Sequence, residues 1–158
     1  QWVLLSSLPV ATDRQVETII EAYCVRWQIE IFFRVLKTGC RIEKRQFETM
    51  EGMENVIALF MVIAWRVMYL SMLGRECPDM NCELIFEDYE WHSVYRVLKK
   101  PIPATPPTLG EVVRTIAQLG GFVNRPKNQP GPETLWKGMQ VAYNYASAWL
   151  AFGPTANS

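Results

Sequence analysis

The chain has 158 residues, which is enough for one domain or for one domain with a subdomain. Apolar residues make up 49% of it, so a buried core can form. The 16 basic and 16 acidic residues give a formal net charge of zero. The composition therefore excludes a generally basic nucleic-acid binder, and any basic surface must be local.

One apolar stretch has the length of a membrane span. It runs from Val56 to Leu73, but it contains Arg66 and is therefore predicted to be a buried core helix. The apolar residues that open the chain lack the preceding basic segment of a signal peptide. These features predict a cytoplasmic protein with no membrane partner, in which the cysteines are free thiols.

The first predicted element is a strand over Trp2–Ser6, a short apolar run that is ended by Pro9. A lone strand is not stable, and no later stretch favours a strand. We therefore expect this strand to belong to a sheet formed by residues upstream of Gln1. Without that sheet, the strand is expected to be disordered or to pair with another chain.

Helices are predicted over the rest of the chain. Four of them begin at residues that favour helix starts, namely Thr12 or Asp13, Thr49, Thr108 with Glu111 in a capping box, and Pro132. The four prolines of Pro101–Pro107 predict an extended linker. The predicted helices are, in chain order, 13–38, 50–73, 83–99, 108 to the glycine pair at 120 and 121, and 132–150.

The helix over 13–38 carries a narrow polar stripe on an otherwise apolar surface. Tyr23, Arg26, Glu30 and Lys37 fall within roughly 60° of one another at about 100° per residue, and Arg34 lies close to them. Because burying unpaired charges is costly, we expect the stripe to face a cleft, a ligand or another charged surface. The structural alternative is an ordinary salt bridge between Arg26 and Glu30.

The other faces of this helix are apolar, which is typical of a buried helix. Trp27 and Phe33 point away from the stripe and are predicted to lie in the core.

The pattern Tyr-x2-Arg-x3-Glu-x6-Lys resembles the signature of DDE-type bacterial transposases of the insertion-sequence-four group. Trp2–Ser7 is similar to the strand that precedes the signature helix in that family. Residues 116–122 and 134–138 are similar to its C-terminal segment. The resemblance covers most of the chain and is weakest over residues 79–107.

This resemblance implies a mainly α chain that is the C-terminal part of a transposase. Residues 1–76 would form the end of a ribonuclease-H-like catalytic domain, with one strand and two helices. Residues 77–107 would form a connector with a helix and the Pro-rich linker. Residues 108–158 would form a helical C-terminal dimerisation domain.

The resemblance also implies metal-dependent cut-and-paste transposition, with DNA cleavage and strand transfer at transposon ends. Glu30 matches the third catalytic carboxylate, which would help to bind Mg²⁺ or Mn²⁺ in a two-metal site. One carboxylate cannot form such a site, and the two aspartates are expected upstream of Gln1. The chain alone is thus expected to be inactive. The alternative is a non-catalytic DNA-binding or dimerisation module from a decayed transposase.

The resemblance further implies contacts with the double-stranded DNA of the transposon terminal repeats, which would be made by Tyr23, Arg26, Arg34, Lys37, Arg41 and Trp2. Trp2 would stack on a flipped base; its structural alternative is an ordinary core aromatic. Arg41, with Lys44 and Arg45, could contact backbone phosphates or belong to a solvated basic loop.

The last helix is implied to pair two transposase molecules on DNA. Its residues at spacings of three and four form one predicted seam, for which packing within the chain is favoured: Trp136, Met139, Tyr143, Ala146 and Leu150. Tyr145, Trp149 and Phe152 lie off this seam and are the candidates for contact with a second copy.

Overall fold

The computed structural model describes residues 3–39, 41–125 and 127–153, and these form five α-helices joined by turns and loops. The helices are α1 (Asp13–Arg34), α2 (Met50–Glu76), α3 (Asp88–Val97), α4 (Leu109–Leu119) and α5 (Pro132–Phe152). A π-helical turn, Val35–Gly39, continues α1, and 3-10 turns occupy Ile42–Lys44 and Cys82–Leu84. The mainly α fold class is confirmed.

The strand predicted over Trp2–Ser6 is not formed at its described positions. Residues 3–6 have no regular secondary structure, and Leu5 is 97% exposed. Trp2 lies outside the described residues. A strand must pair its backbone N–H and C=O groups with a neighbour, and the described part of the chain offers this segment none. Elsewhere in the described chain, Asn81 and Thr108 form an isolated β-bridge.

Three of the helices begin at the threonines predicted to cap them. The Thr12 hydroxyl accepts from the backbone N–H of Gln15, whose side chain accepts in return from the Thr12 N–H at 3.1 Å. Thr49 and Thr108 each accept from the backbone N–H three residues further on. These local bonds satisfy donors that have no partner inside the helix.

The capping box predicted at Thr108 forms only in part. The Glu111 carboxylate accepts a 2.5 Å hydrogen bond from the Tyr95 hydroxyl of α3, and no bond from it to Thr108 is present. The tertiary contact between α3 and α4 has therefore replaced the local interaction.

The third helix is shorter than the predicted range of 83–99. The buried Cys82 donates its N–H to the carbonyl of Pro107, which fixes the segment against the linker in a 3-10 turn. The helix starts only at Asp88, where the Glu87 N–H donates to the Glu90 carboxylate at 3.0 Å.

The core lies between α4, α5, α3 and the C-terminal half of α2. Helix α4 packs against each of the other three and buries seven of its eleven residues. The largest fully buried side chains are Leu70, Leu109, Leu135, Val67, Val94, Val112 and Cys82.

Helix α1 contrasts with this core, because none of its residues is buried. Trp27 and Phe33, predicted to be core residues, are 42% and 49% exposed, so that prediction was wrong. The helix packs mainly against α2 and the π turn that follows it.

Helix α2 is a core helix on one face only. It buries Ala64, Val67, Leu70, Ser71 and Gly74. Leu59, Val62 and Trp65 lie on exposed faces. By length and composition alone α2 could also cross a membrane, a test that core helices of soluble proteins equally meet.

Candidate functional site

Three residues of the signature lie together on an exposed face of α1. The Arg26 guanidinium lies 2.9 Å from the Glu30 carboxylate, with 54% and 38% of the two side chains exposed. The guanidinium carbon of Arg26 lies 5.4 Å from the centre of the Tyr23 ring. The four-residue spacing brings the charges together, as in any helical ion pair. Both groups remain open to a ligand.

Lys37 occupies the π turn and not the regular helix. Its ammonium lies 3.6 Å from a carboxylate oxygen of Glu43, and both side chains are largely exposed. A π turn is wider than an α-helical turn, so Lys37 departs from the α-helical spacing that the predicted stripe assumed. Lys37 therefore pairs with the loop that follows the π turn, whereas Arg26 and Glu30 pair with each other.

The described residues do not form a metal site by themselves. Among them, no three His, Cys, Asp or Glu side chains come together, and Glu30 is paired with a cation. Mg²⁺ requires several oxygen ligands in near-octahedral geometry. Glu30 can supply one carboxylate, and further carboxylates would have to come from outside these residues.

The π turn attaches the end of α1 to α5. Val35 and Leu36 are buried, and Gly39 lies directly against the indole of Trp136. A Cβ at residue 39 would be 2.9 Å from an indole carbon, closer than real Cβ atoms approach. This glycine directly follows the predicted end of the helix over 13–38, a position that favours glycine. The structure shows that it also allows close packing against the last helix.

A basic cleft lies beside this contact, between the loop after the π turn and α5. It has a volume of about 330 Å³ and is lined by Thr38, Gly39, Arg41, Arg45, Glu133, Trp136, Lys137 and Gln140. Arg41 was a predicted DNA contact. Glu133 and Lys137 were missed, because they are distant in sequence and only the packing of α5 on the π turn brings them here.

The charges of this basic cleft interact with one another. Lys137 lies 2.8 Å from Glu133, and this hydrogen bond, with help from the field of Arg34, lowers the pKa of the Glu133 carboxyl. The Arg45 guanidinium lies 5.3 Å from the centre of the Phe60 ring of α2. The predicted contact Arg34 is exposed at the end of α1, and its charge contributes to the lowered pKa of Glu133.

A second group of basic residues lies on α4 and on the loop that follows it. Arg114, Arg125 and Lys127 line an open depression, in which Arg114 donates to the Asn124 side chain at 2.9 Å. No role was predicted for these residues from the sequence.

The seam predicted along α5 is buried only in part. Trp136 and Ala146 are buried, but Tyr143 and Leu150 are 70% and 62% exposed. The buried stripe instead follows Leu135, Gly138, Ala142 and Ala146, and no residue after Ala146 is buried. The last turns of α5 therefore leave large apolar side chains exposed, among them Leu150 and Phe152.

The three residues predicted to meet a second copy lie on that exposed end. Tyr145 is 52% exposed, Trp149 39% and Phe152 88%. The Arg96 guanidinium of α3 stacks on the Trp149 ring at 3.7 Å from its centre. This cation–π contact ties α3 to the last turns of α5.

Two family models match the chain and cover most of it. The model described as Transposase DDE domain matches residues 6–65, which include Tyr23, Arg26, Glu30 and Lys37, and this defines the class as a DDE transposase. The model described as Transposase Tn5 dimerisation domain matches residues 62–150, more than half of the chain. The chain belongs to this Tn5-type transposase family. Membership of a DDE family implies the use of divalent metal in general.

Proposed function

We propose that this chain is the C-terminal part of a transposase that performs cut-and-paste transposition, and that Glu30 is its third catalytic carboxylate. The observation that carries the proposal is the exposed Arg26–Glu30 pair beside Tyr23, within the segment that the DDE domain model matches. Two aspartates from outside this chain would complete the site for Mg²⁺ or Mn²⁺, so residues 1–158 alone do not cut DNA.

Tyr23, Arg26 and Lys37 are proposed to hold the DNA end, as the Tyr-Arg-Glu-Lys pattern of the insertion-sequence-four group implies. An arginine fork suits phosphate oxygens, and the exposed guanidinium of Arg26 can exchange its carboxylate partner for one. Arg34 and Arg41 flank Lys37 in the sequence and would contact backbone phosphates. Trp2 is proposed to stack on a flipped base.

The test is metal-dependent nicking of DNA that carries the element's own ends, by the complete reading frame. Glu30→Gln keeps the shape of the side chain and removes its charge, and it should abolish nicking while DNA binding is retained. Glu21→Gln is the matched control, because it removes an exposed carboxylate from the same helix. Nicking that survives in Glu30→Gln would exclude a catalytic role for this residue.

We also propose that the protein forms a homodimer on DNA through the exposed end of α5. The match to the Tn5 dimerisation domain and the exposed aromatic residues at positions 145, 149 and 152 support this arrangement. A transposase of this kind would act in the cytoplasm, on the DNA of a bacterial nucleoid.

A second candidate function is a DNA-binding or dimerisation module without catalysis. Glu30 is paired with Arg26, and no three potential metal ligands come together among the described residues, as such a module would show. If the complete protein and Glu30→Gln both bind the ends but neither cuts in Mg²⁺ or Mn²⁺, this second candidate is the correct one.

A further inference from the structure

We propose that the basic cleft between the π turn and α5 binds a phosphodiester of the DNA backbone, with Arg41, Arg45 and Lys137 as its cations. This inference rests on the proposed DNA-binding function and adds a site to it. Lys137 belongs to the dimerisation segment, so this segment would contact DNA as well as a second copy.

The charge of the residues that line the cleft favours an anionic ligand. The whole chain has a net charge of zero, yet three cations and one carboxylate line this single cleft. Arg34 adds a further positive field from the end of α1. A local excess of positive charge attracts a polyanion even when the protein as a whole is neutral.

The placement of the three cations suits a phosphodiester. Arg41 and Arg45 both lie on the short loop around the 3-10 turn, and Arg45 is packed over Phe60. Lys137 lines the same cleft from α5. Two guanidinium forks and one ammonium around an open cleft suit the separate oxygens of a phosphodiester.

The cleft also lies close to the signature residues in the sequence. Thr38 and Gly39, which line it, directly follow Lys37 of the signature. The cleft therefore lies next to a residue that is proposed to hold the DNA end. Gly39 packs against Trp136 at its edge, so the cleft joins the DDE segment to the dimerisation segment.

Glu133 opposes binding in this cleft and provides a test of opposite sign. Its carboxylate neutralises Lys137 at 2.8 Å, in an exposed helical pair that is individually weak. A phosphate can replace this carboxylate as the partner of Lys137. Removing the carboxylate should then strengthen DNA binding, whereas removing a cation should weaken it.

The experiment measures the affinity of the full-length protein for duplex DNA as a function of KCl concentration, by fluorescence anisotropy. Arg41→Gln and Lys137→Gln should each weaken binding and reduce the slope of log K against log salt by about 0.9, the value for one lost phosphate contact. Glu133→Gln should raise the affinity. Lys99→Gln, at an exposed cation outside the cleft, is the matched control and should leave the slope unchanged.

The outcomes separate this inference from the proposed function. Unchanged slopes for Arg41→Gln and Lys137→Gln, in a protein that still nicks its ends, would overturn the cleft and leave the transposase proposal intact. Reduced slopes in a protein that never nicks would support the cleft and contradict the catalytic proposal. The cleft would not be a DNA site if the unaltered protein bound no duplex DNA. The same conclusion would follow if Arg41→Gln and Lys137→Gln weakened the binding of polyglutamate as much as the binding of DNA.

Discussion

Arg26 and Glu30 show how far a spacing rule reaches at the scale of single residues. Their separation of four residues on a helix allows the ion pair that was the structural alternative for the polar stripe, and the structure contains this pair at 2.9 Å. The same spacing does not reveal what else approaches the carboxylate. A catalytic and a structural carboxylate have the same local geometry here, and other carboxylates must be brought near by tertiary structure before a metal can bind.

Cys82 is a residue whose chemistry is set entirely by its surroundings. Its side chain is fully buried, and burial, together with the nearby charge of Glu83, raises the pKa of the thiol to about 11 from its usual 9.0. The thiol is therefore more easily ionised in the unfolded chain than in the folded one. Its contribution to stability is complete below pH 9 and is lost as the pH rises towards 11.

We expect Cys82→Ala to reduce the alkaline loss of stability by an amount on the order of 2 kcal/mol between pH 8 and pH 11. Urea unfolding at several pH values would measure it. The lost side-chain volume lowers stability at every pH, so the pH dependence is the diagnostic quantity. Cys77→Ala, at an exposed free thiol, is the control. Equal pH dependence in the two variants would contradict the assignment.

At the scale of elements, the crossing of α4 and α5 depends on two glycines. Helix α4 ends in a Schellman motif, in which Phe122 and Gly121 donate back to the carbonyls of Ala117 and Gln118, with Gly121 at φ 91°. A Cβ on Gly120 would overlap the carbonyl oxygen of Thr134 in α5. The glycine pair predicted as a helix stop thus also allows the two backbones to touch.

Gly138 makes the reciprocal contact, because a Cβ there would overlap the carbonyl oxygen of Ile116. We expect Gly138→Ala to destabilise the fold by about 2 kcal/mol or more, since backbone atoms cannot yield as a flexible side chain can. Thermal or urea unfolding would measure the effect. Gly131→Ala is the control, because its added methyl meets open space. A Gly138→Ala protein as stable as Gly131→Ala would show that the helices can separate freely.

At the scale of the whole molecule, burial is distributed unevenly. The core is concentrated where α3, α4 and α5 meet the second half of α2, whereas α1 and the last turns of α5 bury no side chain. Large apolar side chains are left exposed at both extremes, among them Trp27 and Phe33 on α1 and Leu150 and Phe152 on α5. Exposed large apolar side chains that collect in one region are typical of sites that meet other protein.

For the end of α5 this leads to a test of dimerisation. Phe152 is 88% exposed, and its burial against a second copy would contribute roughly 2 kcal/mol. We expect Phe152→Asp to weaken self-association of the full-length protein on DNA ends at least about tenfold, as measured by analytical ultracentrifugation. Leu84→Asp changes a similarly exposed apolar residue far from α5 in sequence and should have no effect. If the two variants associate equally, α5 is not the interface.

The sequence by itself determined the features that depend on near neighbours along the chain. The threonine caps, the starts of α1, α2, α4 and α5, the stop at the glycine pair and the Arg26–Glu30 pair all rest on interactions that span three or four residues. The signature pattern likewise predicted a DDE transposase, and the family match bears this out. The helix starts and the caps needed only helix geometry and hydrogen-bonding rules, whereas the transposase class came from the resemblance of the signature pattern to a known family.

Tertiary structure decided which of these surfaces are covered. A hydrophobic pattern shows that a face is apolar but not whether another element lies on it, so the exposure of Trp27, Phe33, Tyr143 and Leu150 could not be predicted. The π turn at Val35–Gly39, the exchange of the Glu111 cap for Tyr95, and the cleft that joins Arg41 to Lys137 share one cause. Each depends on contact between residues far apart in sequence, and the energy of those contacts outweighs local preference.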